Sequence, residues 1–151
     1  MATAEGLNTD GVGLRDSIWV HMDRGVSDVS SLDSSRPSIG TWEFHLALEK
    51  TFKVLLHQRG IQDLKDFGHD MKMLREAAES VGIGIEKRKT EKLPHWKVAA
   101  SRRYGESILN PSEAFIIYQA ILEIMYDLIK HVKQTIVISD AEFLLKKAPW
   151  V

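Results

Sequence analysis

The chain has 151 residues, of which 44% are hydrophobic and 27% charged. That is the profile of one soluble globular domain able to bury its own core. A net charge of −1 excludes a protein that holds polyanions by overall charge alone, and the lack of cysteine excludes disulfides, thiolate nucleophiles and Cys-ligated zinc.

Residues 1–13 are small, polar and glycine-rich and read as a flexible tail. They lack the basic start and apolar run of a signal peptide. Residues 14–151 read as one helical domain. A first helix is expected from Leu14 to about Leu32, with Leu14, Ile18, Met22, Val26 and Val29 on one stripe and Gly25 as a weak point. The segment Ser34–Gly40 reads as a loop, with Thr41 as N-cap.

A second helix is expected over Trp42–Arg59, stopped by Gly60. Its apolar face is wider than a surface helix needs, so it should be central. His45, Glu49 and Lys53 follow one another at i, i+4 along one flank. Two readings stand for them: a solvated Glu49–Lys53 pair, or a functional polar patch. A third helix should start near Gly68 or His69 and end at Val81, with Met71, Leu74, Ala78 and Val81 inward and Asp70 favoured at its positive end.

Glu86–His95 reads as a charged loop and Trp96–Arg103 as a short helix. The long last helix has Asn110 as cap, Pro111 at its first position and Glu113 at its third, a capping-box start, and runs to about Lys133. Apolar residues almost encircle it, so it should bury more than one side; a two-fold dimer interface is one way to do so. The run Ala114–Ile129 is broken by Gln119, Glu123 and Asp127, so it is too short and polar to span a bilayer. Thr135–Ile138 reads as a connector, and Ser139 with Glu142 as the cap of a short helix, Asp140–Lys147. The whole is an all-α, up-and-down bundle of five or six helices.

Three blocks of this pattern resemble the HEPN domain family of small nucleotide- and RNA-associated helical bundles. Phe44–Leu56 is similar to its His/Ala-x-x-x-Glu-Lys-x-x-Lys helix, and Gly68–Leu74 to its His-Asp-Leu-x-x-Leu helix start. Arg103-Tyr104-Gly105-Glu106 with Pro111-Ser112-Glu113-Ala114 is similar to its Arg-Tyr-Pro segment and final helix opening, with Gly105 where many relatives carry proline. The resemblance covers roughly residues 14–133. It implies a cytoplasmic homodimer packed through the long helices, associated with a nucleotide, RNA or a nucleotidyltransferase partner, in a defence or toxin–antitoxin setting.

Many relatives are metal-independent ribonucleases with an Arg followed by His after four to six residues in a late helix. Arg15…His21 and Arg88…His95 fit the bare spacing. Eight arginines and six histidines in 151 residues give about one match by chance, and neither pair lies in the expected helix. A non-catalytic accessory module is therefore the reading for this chain, with no catalytic residue, metal or cofactor assigned. The ligand-binding candidates are Lys53 and Arg103 for phosphate, Tyr104 for stacking, and His45, Glu49 and His69 for orientation. The alternatives are a ribonuclease pairing Arg103 with His45 or His69, and a purely structural dimerisation partner.

Two further features are open. Residues 87–103 carry a local charge of +6 interleaved with Trp96 and Tyr104, which suits either nucleic acid or a solvated loop. Glu123, Asp127 and His131 have metal-ligand spacing, but they are also the only polar strip of their helix.

Overall fold

The computed structural model describes residues 12–131, with side chains from Asp16 onward. The tail up to residue 11, residues 132 and 133 of the expected last helix, the 135–138 connector and the 140–147 helix expected from the sequence lie outside the described residues; the last helix ends at Ile129, short of the expected Lys133, and the first begins at Val12, inside the expected tail. Among the described residues six helices make up an all-helical bundle: α1 Val12–Val29, α2 Arg36–Gln58, α3 Met71–Ser80, α4 Lys87–Thr90, α5 Trp96–Arg103 and α6 Pro111–Ile129, with a 3-10 turn at Leu64–Phe67. No helix among the described residues is long and apolar enough to cross a membrane.

The centre is α2. Fifteen of its 23 residues are buried, and it packs against α1, α3, α5, α6 and the 3-10 turn. Phe44, Phe52, Leu48 and Leu55 of α2 meet Leu74 and Ala78 of α3 and Ile121, Ile124 and Leu128 of α6 in one core. The expected apolar faces of α2 and α3 are therefore the faces that are used, whereas α6 buries one side in the chain and leaves Phe115, Ile116, Leu122, Tyr126 and Ile129 exposed.

The start of α2 differs from the sequence expectation. Thr41 is not the N-cap: its Oγ1 donates to the Ser38 carbonyl at 2.7 Å inside a helix already running from Arg36. Pro37 sits in the first turn, where its missing N–H is no loss, so the proline opens the helix it was expected to precede. Ser38, buried by this extension, accepts from the Leu109 amide through its Oγ at 2.7 Å and ties the start of α2 to the entry of α6. The residues expected to form a charged loop include the single turn of α4, too short for a periodic pattern to register.

Helix ends follow their caps closely. Asn110 Oδ1 accepts from the Glu113 amide at 2.9 Å and Glu113 Oε2 accepts from the Asn110 amide at 3.1 Å, the reciprocal box read from the sequence. Asp70 Oδ1 accepts from the Lys72 and Met73 amides and so caps α3. After α2, Gly60 at φ +90 lets its own amide and that of Ile61 reach the His57 and Leu56 carbonyls, a Schellman end. Gly105, at φ +72, closes α5 the same way through the Arg102 and Ser101 carbonyls. Proline, fixed near −65°, could not take that position.

Candidate functional site

Four of the six candidate residues come together. His45, Glu49 and Lys53 occupy successive turns of α2, and His69 reaches them from the turn before α3. Glu49 is 6% exposed. Its Oε1 accepts from Lys53 Nζ at 2.6 Å and its Oε2 from His69 Nδ1 at 2.6 Å. Lys53 Nζ also donates to the Gly68 carbonyl at 3.0 Å. His45, 2% exposed, donates from Nε2 to the His69 carbonyl at 3.0 Å. The reading of Glu49 and Lys53 as a solvated pair is thus corrected: the pair exists, but its carboxylate is buried and shared with a histidine.

Aromatic rings frame this network. Trp42 stacks on His45 with centroids 5.4 Å apart and planes 13° apart, and meets His69 edge-on at 5.4 Å. Trp96, at the start of α5, lies 6.2 Å from His69. His69, exposed to solvent, is therefore the outward edge of a network whose other histidine is sealed.

Burial pushes the His45 imidazole below its ordinary 6.5, against the pull of the His69 carbonyl and the Glu49 charge. The folded protein keeps this ring neutral while the unfolded chain takes up a proton below 6.5. The stability contributed by His45 is complete above that pH and is lost as pH falls through the lower folded value. Thermal unfolding should show a falling melting temperature below about pH 6, and His45→Gln, which retains an N–H donor, should flatten that fall. An unchanged pH profile in the variant would remove His45 as its source.

Arg103 and Tyr104 stand apart from the network. They lie at the far end of α5 from Trp96, about 10 Å along the helix axis. Both are exposed, and the Arg103 guanidinium lies 5.4 Å from the Tyr104 centroid. The neighbouring Arg102 is buried, and its Nε and Nη1 have no hydrogen-bond partner among the described residues.

The +6 segment is not a bare basic patch. Lys89 is bonded to Asp127, and Lys92 lies 3.7 Å from Glu123. These contacts hold the stretch that begins at α4 against α6 and engage both carboxylates of the candidate metal strip. Arg88 pairs with Glu86 at 3.2 Å and Lys87 with Glu91 at 3.4 Å.

Beside His69 opens a cleft of about 260 Å³ between the start of α3, α4 and the start of α5. Lys72, Arg75 and Lys87 line it along with Leu93, Pro94 and Trp96. Lys72 and Arg75 escaped the sequence reading because they sit on α3, outside the basic run. Two turns of α3 face that run only after the chain has folded back.

No protein-family model, curated protein or solved structure matches the chain.

Proposed function

We propose that the chain is a HEPN-like, non-catalytic accessory module that binds a nucleotide or RNA, acting as a homodimer beside a partner such as a nucleotidyltransferase in a toxin–antitoxin or defence setting. The observation that carries this reading is the single network of His45, Glu49, Lys53 and His69. Four of the six candidate residues meet in space, with Arg103 and Tyr104 apart, and the exposed edge of the four, His69, lies against Trp96, a wall of the cleft that Lys72 and Lys87 also line. Stacking surface beside mobile cations is what recognition of a nucleotide needs.

The same geometry speaks against acid–base cleavage through His45, because a ring 2% exposed and bonded to a carbonyl does not reach a substrate hydroxyl. A labelled single-stranded RNA should bind at low salt and weaken steeply as salt rises, and it should stay intact without metal. Turnover abolished by Arg103→Ala would replace this reading with a ribonuclease. Failure to bind at either salt would leave a structural role.

The homodimer rests on α6. Phe115, Leu122, Tyr126 and Ile129 are 50%, 39%, 63% and 53% exposed, and with Gln119 they recur at alternating steps of four and three, the seam of a helix pair. A second copy supplies an identical seam, so a two-fold axis covers both at once. Sedimentation equilibrium should give a dimer at micromolar concentration and a monomer for Leu122→Glu with Tyr126→Glu. A monomeric parent protein would remove this part of the proposal.

A further inference from the structure

We infer that the cleft between α3, α4 and α5 takes one nucleotide unit, its base against Trp96 and its phosphate between Lys72 and Lys87. This rests on the nucleotide- or RNA-binding reading and adds where the ligand sits and how much of it is held.

Size sets the first limit. At about 260 Å³ the cleft falls just below the range of most small-molecule sites, roughly 300–1,000 Å³. It has room for one base with its sugar and phosphate, not for a folded or paired nucleic acid.

The walls set the second. Trp96 is half-buried and backed by His69, which the Glu49 carboxylate holds in turn. Its ring meets those of His69 and His95 at tilted angles, Lys97 Nζ lies 5.6 Å from its centroid, and Leu93 and Pro94 continue the apolar surface. A half-exposed indole accepts any base by stacking.

Charge sets the third. Lys89 and Lys92 are turned to α6 and Lys53 to Glu49. Lys72 and Lys87 differ: their side chains are 78% and 71% exposed, in solvent-exposed i, i+4 pairs with Glu76 at 4.0 Å and Glu91 at 3.4 Å. Surface pairs of this kind exchange a carboxylate for a phosphate at little cost. Arg75 is buried and paired with Glu79 and Glu76, so it is a stationary wall whose charge is already engaged. Of the two acids at the cleft, Asp70 is committed to backbone amides. Glu91 opposes a phosphate directly.

The test uses the full chain, with a fluorescent adenosine monophosphate and a 12-residue single-stranded RNA as probes, read by anisotropy. The mononucleotide should saturate one site per chain. Trp96→Leu and the double variant Lys72→Glu/Lys87→Glu should each weaken it about tenfold or more. Glu91→Gln should tighten it, and Lys130→Glu, just beyond the end of α6, should leave it unchanged. The double variant lies wholly on the surface, so it reports on binding even if Trp96→Leu loosens the fold. No mononucleotide binding, or binding indifferent to the double variant, overturns the inference. RNA binding that ignores all the cleft variants overturns it while sparing the broader reading, and silence from both probes overturns both.

Discussion

Replacing Glu49 by leucine should lower the stability of the protein by about 3 kcal/mol, the largest loss expected from any single side chain of the site. The carboxylate holds Lys53 and His69 at once, and leucine leaves both polar groups facing a shape-matched apolar side chain. Breaking a buried pair costs about 3–5 kcal/mol. The lower end applies here because the Lys53 and His69 side chains keep 15% and 44% of their surface in water and can turn outward. Glu49→Gln, which keeps an acceptor, should lose less. Adding Lys53→Met to Glu49→Leu should restore part of the loss, since the stranded cation is then gone. Urea midpoints of the four proteins give the comparison; a Glu49→Leu change within about 0.5 kcal/mol would mean that the pair is solvated after all.

The second large effect lies where α1 crosses α2. An alanine Cβ at Gly25 would stand 2.4 Å from Phe44 Cε1, and one at Gly40 would stand 2.8 Å from the Gly25 carbonyl oxygen. Phe44 is 1% exposed and packed on Tyr118 at 4.6 Å, so its ring has nowhere to go. At Gly40 the obstacle is backbone. Alanine ordinarily gains about 1 kcal/mol over glycine inside a helix, but overpacking costs about 1–3 kcal/mol, so both variants should melt lower than the parent. Gly84→Ala, with nothing within 4 Å of the new Cβ, is the control and should be near neutral. A higher melting temperature for Gly40→Ala would mean that the two helices do not approach this closely.

Gly25 also shows what a sequence conceals. Inside α1 it reads as a weak point, because propensity counts only the helix it sits in. Its reason is Phe44, 19 residues on, which no local pattern announces. Where signals are local the sequence was sufficient: the Asn110–Glu113 box, the Asp70 cap, the Gly60 stop and both ends of α5 are written within four residues of the feature they set. The start of α2 was misplaced because Ser-Ser-Arg-Pro carries loop and helix-start signals together, and Thr41 offered a second plausible cap. The i, i+4 spacing of His45, Glu49 and Lys53 made their common flank legible. The arrival of His69 on that flank, and of Lys72 and Arg75 opposite the basic run, depends on the turn at 60–70 folding α3 back, which spacing does not encode.

The placement of α2 has a consequence for how the molecule comes apart. The core is one cluster drawn from α1, α2, α3 and α6, with Ile83, Ile85 and Leu109 from the segments between them, and each of the longer helices uses α2 as a wall. No cut in the chain between α2 and α6 leaves two pieces that each keep an apolar interior. Partial opening is thus confined to elements at the rim, such as α4, and the rest should be lost in one cooperative step. The network at Glu49 is anchored on that indivisible part, so its geometry persists for as long as the domain is folded.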